Sequence, residues 1–429
     1  MSSATPSATF RAFLYCAFAA ALSHSPATLA ADADEDALAL SSAPVAATDG
    51  AAKTKLFIEG AIGAGSSRDG SGTRSLRRAS IDLTHASTFA PGWRAVISDR
   101  LDHIRPVERG ADETINSLRE AYVSWQQASG DTVVDVGRVN LRYGPGYGYN
   151  PTDFFRDGSL RTVTSINPFT LRENRLGSVV IRGQRLWANG SVSLAYSPKL
   201  ESEPSADGFN LDVGATNNRD RGLVALSSQM SQRLSGQVLL YKERGLPAQL
   251  GASLTALLTD AALAHAEWSR GREPDLFSRA IGVAGVQSTR NRFVGGLTYT
   301  TASKLSVTAE YQYNGFALSP PDWEALGQNA PVAQGAYVIE SLRRQDLASR
   351  DAWLVYVTQK SIGLKNLDLT ALLRVNGADH SRLGWIELRH HWDRFDLALQ
   401  LQQQSGRNAS EFGLIPDRRS AQLLASYYF

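Results

Sequence analysis

Residues 142–158 hold the densest group of side chains in this sequence that could contact a ligand. The segment, RYGPGYGYNPTDFFRDG, has glycines at positions 144, 146 and 148, and such a loop can present backbone N–H groups to a phosphate. A nucleotide-binding loop would also need a Gly-Lys-Ser/Thr sequence between a strand and a helix, and neither is present here. We therefore exclude nucleotide chemistry and expect no cofactor.

Metal binding is the second chemistry that these residues suggest. Asp153 and Asp157 could contact calcium, and so could the oxygen-rich segment 207–220, but neither spacing matches a known calcium loop. The single cysteine, Cys16, lies in a predicted export signal, so a mature chain has no thiolate ligand and no cysteine nucleophile. We expect no metal site and no nucleic-acid partner.

The first 30 residues have the pattern of a signal peptide. Arg11 precedes a short apolar run over 12–22, which is too short to span a membrane as a helix, and residues 28–30 end in a small-residue cleavage pattern. We predict a mature chain that begins near Ala31, followed by a flexible periplasmic leader over 31–53.

The last ten residues alternate in polarity and end on an aromatic residue. Ala421, Leu423, Ala425, Tyr427 and Phe429 lie on one face, and the intervening residues are mostly polar. This pattern resembles the closing strand of Gram-negative outer-membrane β-barrels, in which a terminal Phe is part of the signal for the barrel-assembly machinery. The resemblance implies export to the outer membrane and a contact of the Phe429 strand with that machinery.

Similar alternation recurs between residues 54 and 429. In segments 305–314, 367–376 and 395–402 one face is apolar and the opposite face carries polar and charged residues. A transmembrane barrel shows this pattern, with lipid outside and polar groups inside. Segment 131–141 alternates less well. The candidate strands start near 55, 76, 93, 116, 131, 176, 190, 221, 233, 248, 261, 290, 304, 347, 366, 383, 395 and 419.

These starts predict an all-β fold, a transmembrane antiparallel up-and-down β-barrel of about 18 strands, with 16 as the alternative count. Short periplasmic turns would follow the even-numbered strands, and long extracellular loops would follow the odd-numbered ones. The apolar stretch 280–286 is assigned to a loop or to an extension of its neighbour. A barrel of this size encloses an aqueous lumen, so the count favours a channel.

The opening segment then belongs to a long loop, 143–174, after the fifth strand. Its glycines and prolines allow the backbone to bend into the lumen, and its aromatic residues can pack on the inner wall. Only seven of the 44 basic residues are Lys, and Arg contacts carboxylates and phosphates well. Our candidates for lining or narrowing the pore are Arg142, Asn150, Asp153, Arg156, Asp157, Arg182, Glu310, Arg374, Glu387 and Arg389.

A motif around this loop carries a second resemblance. Gly137-Arg138-Val139-Asn140, then Tyr143-Gly144-Pro145-Gly146 and Asn150-Pro151-Thr152-Asp153, resemble a Gly-Arg-x-x-x-x-Trp-Gly-x-Gly…Asn-Pro-x-Asp pattern in poorly characterised, porin-like outer-membrane barrels of proteobacteria. Tyr143 stands in place of the usual Trp. The resemblance implies a porin-like protein, and it implies no catalytic residue and no particular substrate.

The sequence thus predicts a porin-like channel for small polar solutes in the cell outer membrane, with lipid and lipopolysaccharide around it. A barrel for polysaccharide export and a structural barrel are the alternatives. An outer-membrane hydrolase is less favoured, because none of the seven His residues stands beside a nucleophile motif, although His391 is expected in the lumen. A net charge of +2 sets no ion preference, and the pattern does not separate a monomer from a homotrimer.

Overall fold

The computed structural model describes residues 53–106 and 112–429, and within them the chain forms one closed ring of 18 antiparallel strands. Each strand pairs with its sequence neighbours, and β1 pairs with both β2 and β18, so the sheet has no free edge. The predicted fold class and the count of eighteen are confirmed. The predicted signal peptide and nearly all of the leader lie outside the described residues.

The strands are β1 (Lys53–Ser67), β2 (Thr73–Ala90), β3 (Trp93–Arg105), β4 (Thr114–Gln126), β5 (Thr132–Val139), β6 (Ser178–Trp187), β7 (Gly190–Ser197), β8 (Arg221–Ser231), β9 (Leu234–Glu243), β10 (Gln249–Thr259), β11 (Ala262–Pro274), β12 (Gln287–Thr300), β13 (Leu305–Asn314), β14 (Asp351–Gln359), β15 (Leu367–Asn376), β16 (Arg382–His391), β17 (Phe395–Ser405) and β18 (Asp417–Tyr428). The described connections contain the helices α1 (Pro168–Glu173), α2 (Val213–Thr216), α3 (Leu276–Ala280), α4 (Pro320–Asn329) and α5 (Pro331–Arg344). None of these helices has the length and apolar character to cross a membrane.

The predicted strand starts agree closely with the structure. The largest offset is at β14, which was expected near 347 and begins at Asp351. Residues 281–286 are a connection between α3 and β12, as expected for the extra apolar stretch. One expectation is wrong: the connections 68–72, 244–248 and 377–381 follow odd-numbered strands yet are as short as the turns at the other end.

The two faces of the barrel are inverted relative to a soluble protein. On β13, Thr308, Glu310 and Gln312 point inward and are buried, whereas the alternate residues face outward. Outward residues such as Ile62 and Leu194 are 62% and 56% exposed. An apolar exterior of this kind is stable only in an apolar solvent, which for a barrel is the bilayer.

The inner wall departs from this rule in two apolar patches. One contains Leu354, Tyr356, Leu372 and Trp385, on β14 to β16. The other is formed by residues of β6 to β9 and includes Val180, Leu223, Leu239 and Tyr241. Inward apolar side chains would be unfavourable against water, so both patches require a cover. The cover comes from the chain segment that follows β5.

The weak alternation of segment 131–141 also has a local cause. Gly137 has a φ of 133°, a conformation that side chains rarely adopt, and a Cβ here would collide with the carbonyl oxygen of Ala121. The alternation of β5 is therefore broken one residue before Arg138. The chain leaves the barrel wall after Val139, the last residue of β5 that pairs with β6.

Candidate functional site: a loop that crosses the lumen

The connection between β5 and β6, residues 140–177, is called the inward loop below. Its residues 146–152 contact Glu267 and Glu310, which lie in the middle of β11 and β13. Those strands are on the far side of the ring from β5. The loop therefore folds into the lumen and crosses it near the middle of the strands. It is somewhat longer than the predicted 143–174.

Glu267 fixes the first turn of the inward loop. Its Oε1 accepts hydrogen bonds from the Gly146 backbone N–H at 2.6 Å and from Asn150 Nδ2 at 3.1 Å. Its Oε2 accepts from the Thr152 backbone N–H at 3.2 Å and from Thr152 Oγ1 at 2.7 Å. The carboxylate is 1% exposed, so these four donors replace the water that it would otherwise bind.

Glu310 fixes the adjacent residues in the same way. Its Oε1 accepts from the Tyr147 backbone N–H at 2.5 Å, and its Oε2 accepts from the Gly148 N–H at 3.0 Å. His265 Nε2 lies 2.9 Å from Oε1, and Gln312 donates to Oε2 at 2.8 Å. The consecutive amides of the glycine-rich segment thus form an anion cradle, and the anions that it holds are carboxylates of the barrel's own wall.

The glycines are required by this close approach. Gly144 has a φ of 83°, and a Cβ at this position would overlap the carboxylate of Glu267. A Cβ on Gly148 would lie 2.6 Å from Gln312 Nε2. A larger residue at either position would hold the backbone away from the wall.

Aromatic residues of the loop cover the two apolar patches. Tyr147 packs against Tyr356 with ring centroids 5.6 Å apart, beside Leu354 and Trp385. Phe154 stacks on Tyr241 at 4.6 Å with an interplanar angle of 2°. Burial of each large side chain contributes about 1.5–3 kcal/mol, so these contacts hold the loop in the lumen together with the cradle.

Ion pairs attach the rest of the loop. Asp153, which is 0% exposed, contacts Arg175 NH1 at 2.5 Å and lies 3.8 Å from Arg172 NH2. Arg172 also donates to the carbonyl oxygens of Tyr143 and Gly144 at 3.0 and 3.1 Å. Burial lowers the pKa of Arg172 to about 10, against the opposing effect of Asp153, and the guanidinium stays charged at neutral pH.

Two carboxylates link the loop to the connection between β13 and β14. Asp157 contacts Arg344 at 2.9 Å, Arg219 at 2.5 Å and Arg343 at 3.1 Å. Burial would raise the pKa of Asp157, but these three arginines outweigh it, so the pKa is lowered. Asp346 accepts from Arg156 at 3.2 Å and from Tyr149 Oη at 2.7 Å. Burial is likewise outweighed at Asp346, whose pKa falls to about 2.

The inward loop borders two water-accessible cavities in the lumen. The larger, about 880 Å³, is lined by β1 to β4, by β16 to β18 and by loop residues 164–174. The smaller, about 410 Å³, lies between the loop and β4 to β9. Both are lined by Glu120, Asn140, Arg142 and Glu173, which we call the junction residues.

The junction residues carry charges of both signs. Arg142 and Glu173 are exposed to the lumen, and neither has a hydrogen bond or ion pair from its side chain within the described residues. Among the described residues, the Glu120 side chain accepts a hydrogen bond only from the Asn140 backbone N–H, at 3.2 Å. One cation and two carboxylates are therefore available to a solute where the cavities meet.

The wall of the larger cavity is a network of paired charges. Arg78, Arg100 and Arg119 lie on the inner faces of β2, β3 and β4. Their partners are Glu59, Asp82 and Asp102, at distances from 2.5 to 3.1 Å. The network presents charge along the cavity wall with equal numbers of both signs.

The predicted site residues fall into two groups. Arg142, Arg182, Glu387 and Arg389 line the cavities, and Arg374 lies on the inner face of β15. Their part in solute passage stays a prediction.

The other candidates lie between the loop and the wall, away from the cavity surface. Asn150, Asp153, Arg156 and Asp157 are 5%, 0%, 7% and 8% exposed, and Glu310 lies beneath the loop. Their contacts, described above, hold the loop in place.

Sequence reasoning did not single out Glu120, Glu173, Glu267 or the charge network of β1 to β4. The positions of Glu120 and Glu267 could have indicated that they face the lumen, because each is a charged residue on the polar face of an alternating strand. Glu173 has no such signal, since it lies in a loop helix. His391 lines the larger cavity, with Nδ1 2.9 Å from Asp396 Oδ1. Within the described residues no group of three potential metal ligands occurs.

Comparisons with known proteins place the fold. No protein-family model matches the chain, and no curated protein sequence does. Among solved structures, Acinetobacter baumannii OccAB1 is similar with a TM-score of 0.58 and 13% identity, over 91% of this chain and 99% of that one. A BenF-like porin from Pseudomonas fluorescens Pf-5 has a TM-score of 0.55 and 11% identity, over 88% and 98% of the two chains.

A third similar structure is Pseudomonas aeruginosa OccK2 (OpdF) in complex with glucuronate, with a TM-score of 0.55 and 10% identity, over 88% of this chain and 98% of that chain. At such identities the likeness concerns the fold alone. This chain is thus similar in its barrel fold, over nearly the whole length of each chain, to a structure described as a porin.

Proposed function

We propose that this chain is an outer-membrane channel through which small polar solutes cross passively, and that the inward loop narrows its pore. The observation that carries the proposal is the inward loop itself. It crosses an 18-stranded lumen, is fixed to wall carboxylates, and leaves two polar cavities that meet at Arg142. The solved barrels of the same fold, one of them described as a porin, support the proposal.

The chemistry of the junction supports selection by charge as well as size. Arg142 is a cation without a partner among the described residues, and Glu120 and Glu173 line the same place. Groups of opposite sign around a narrow passage create a transverse field, and such single lining residues set selectivity more than the net charge of the protein does. A solute with a polar or charged end and several hydroxyl groups would find donors and acceptors there.

The apolar exterior and polar interior of the barrel support an outer-membrane location. The short turns would lie in the periplasm, and the end that carries the inward loop and the α4–α5 connection would face outward. Lipid and lipopolysaccharide would contact the apolar exterior. The closing strand β18 ends at Tyr428 and is followed by Phe429, and we propose that the assembly machinery binds this end.

The dimensions support small solutes. A space of about 880 Å³ is comparable to the 300–1,000 Å³ typical of small-molecule pockets, so monosaccharide-sized compounds would enter it. One solved barrel of this fold is in complex with glucuronate, which makes that compound a reasonable first solute to test.

Solute uptake by the purified barrel tests the proposal. Liposomes that contain the protein are placed in isosmotic glucose, glucuronate or a trisaccharide, and swelling is followed by light scattering. We expect rapid swelling with the two monosaccharides and little with the trisaccharide. A heat-denatured sample is the control.

Other outcomes separate the alternatives. No swelling with any solute, together with no conductance in planar bilayers, would refute the channel and favour a structural barrel. Equal swelling with all three solutes would refute a narrowed pore. Phospholipid hydrolysis that is lost in His391→Ala would instead support an enzyme.

A further inference from the structure

The outer face of β18, β1, β2 and β3 contains a groove that none of the contacts above uses. A row of small residues crosses three adjacent strands here, because Gly60 pairs with Ala425 on one side and with Ala79 on the other. A Cβ built on Gly60 would meet no atom within 4 Å, so the space above it is open. The groove has a volume of about 510 Å³.

Bulky residues form the two sides of the groove. Toward the short-turn end, Tyr427, Ile58 and Ile81 lie side by side, and toward the long-loop end Leu423 and Ile62 do the same. Ile58 and Ile62 are 45% and 62% exposed, which places the groove on the lipid-facing surface. A hydrocarbon chain laid between these apolar ridges would gain dispersion contacts along its length.

The end of the groove toward β3 is basic. Arg77 continues the row of Ile62, and its partner on β3 is Arg105, so two arginines lie directly opposite each other on the outer face. Both are exposed, and His103 lies beside them opposite Ala79. All three residues line the groove.

Like charges directly opposite each other destabilise a sheet, so this arrangement is unfavourable without an anion between them. Arg105 contacts Glu113 at 2.6 Å, but both side chains are exposed, and such a pair contributes little. Arg77 has no hydrogen bond or ion pair within residues 53–106 and 112–429. Among the described residues the site therefore carries two arginines and one carboxylate, a net positive charge, beside an apolar groove.

We propose that this groove binds one phosphorylated lipid of the outer leaflet, with an acyl chain over Gly60 and a headgroup phosphate between Arg77 and Arg105. The proposal rests on the outer-membrane location proposed above, since the basic end lies at the long-loop end of the barrel. Arginine binds phosphate through paired N–H groups, and its aliphatic stem lies well along an apolar surface. A multiply acylated, diphosphorylated glycolipid of the lipid A type has both the acyl chain and the phosphate that the groove would bind.

Lipid binding by the purified full barrel in detergent tests the assignment. Native mass spectrometry measures the affinity for hexa-acylated diphosphoryl lipid A, with phosphatidylethanolamine as the comparison lipid. We expect one lipid A to bind the unchanged protein with clear preference. In the double variant Arg77→Gln/Arg105→Gln the affinity for lipid A should fall about 30-fold. Each basic residue near an anionic lipid surface changes the binding affinity about fivefold, and two are removed.

Two further variants make the test specific. Gly60→Leu fills the groove without changing charge and should also weaken binding. Arg270→Gln/Arg272→Gln removes two exposed outward arginines from β11, away from the groove, and should bind lipid A like the unchanged protein. Unchanged affinity in the Arg77/Arg105 variant or in Gly60→Leu would overturn the assignment, as would an equal loss in the β11 variant. Complete competition by inorganic phosphate would show that a free anion, and no lipid, occupies the site.

Conductance separates this proposal from the channel. In phosphatidylcholine bilayers without lipid A, the Arg77/Arg105 variant should conduct like the unchanged protein. A barrel that binds lipid A as described but never conducts would refute the channel and leave the lipid site standing.

Discussion

The attachment of the inward loop to Glu267 predicts a measurable release when one oxygen of that carboxylate is replaced. Glu267→Gln keeps the shape of the side chain, but an amide nitrogen cannot accept a hydrogen bond. Two of the four donors, either Gly146 and Asn150 or the two groups of Thr152, then lose their acceptor.

The magnitude follows from these contacts. A buried donor left without an acceptor costs about 1–3 kcal/mol, so two donors cost at least about 2 kcal/mol. This corresponds to about a 30-fold increase in the population of the released loop. The aromatic contacts of Phe154 and Tyr147 are unchanged, so the loop should open more often without leaving the lumen permanently.

Hydrogen exchange followed by mass spectrometry measures this population. Amides in peptides covering 143–155 should exchange about 30-fold faster in Glu267→Gln, because local opening limits their exchange. Glu387→Gln is the matched control, since Glu387 also faces the lumen but contacts Arg389 and Gln400 and no residue of the loop. Unchanged exchange in Glu267→Gln, or an equal increase in Glu387→Gln, would refute the role of the cradle.

Three further predictions concern charge. Arg142→Glu replaces the cation of the junction by an anion, so the zero-current potential in a salt gradient should shift toward cation selectivity. Arg270→Glu, on the outer face, should cause no shift, and equal shifts in the two variants would contradict the role of Arg142. Asp346 has a pKa lowered from 3.8 to about 2, so its stabilisation of about 2 kcal/mol is complete above about pH 4 and is lost as the pH falls through 2. Loop exchange should therefore accelerate between pH 4 and pH 2 after correction for intrinsic rates, and Asp346→Asn should remove that pH dependence; its persistence in the variant would contradict the assignment. Asp153→Ala leaves the buried Arg172 and Arg175 without a carboxylate and should make the loop sensitive to protease through a loss of about 3–5 kcal/mol. Glu173→Ala, at an exposed position, should not, and equal sensitivity of the two variants would contradict the role of Asp153.

The barrel was predictable because its signal is local and repeated. Strands such as β13 alternate over their whole length, and a short turn at one end fixes the order of the next strand. The polarity of the two faces is visible in the same residues. Eighteen repetitions of one pattern therefore gave the strand count and nearly all strand starts.

The partners of the inward loop were not predictable in the same way. The contact between Tyr147 and Glu310 joins residues 163 positions apart, and no local pattern in either segment records it. Inward apolar residues such as Leu354 and Trp385 appear in the sequence only as imperfect alternation. For this reason Asn150 and Asp153 were expected at the pore surface, although they are buried in the attachment of the loop.

The glycine-rich segment shows the limit of reasoning from residue type. Its glycines were expected only to allow an inward bend, and phosphate binding was excluded, but the structure shows that their amides hold carboxylates of the barrel's own wall. Arg142 and Glu173, which are exposed to the lumen, stand near the two ends of the loop. Arg142 was among the predicted pore-lining residues, whereas Glu173 was not.

Single-channel conductance in planar bilayers tests the central claim most directly. The unchanged barrel is compared with a variant in which residues 146–170 are replaced by a short glycine–serine linker, and with one in which the exposed segment 281–286 is shortened. Because the first variant uncovers two apolar patches, Glu267→Ala/Glu310→Ala serves as a second way of releasing the loop. We expect stable steps for the unchanged protein, larger steps for both loop variants and no change for the 281–286 variant. No conductance from the unchanged barrel, or equal steps with and without the attached loop, would contradict a channel that the inward loop narrows.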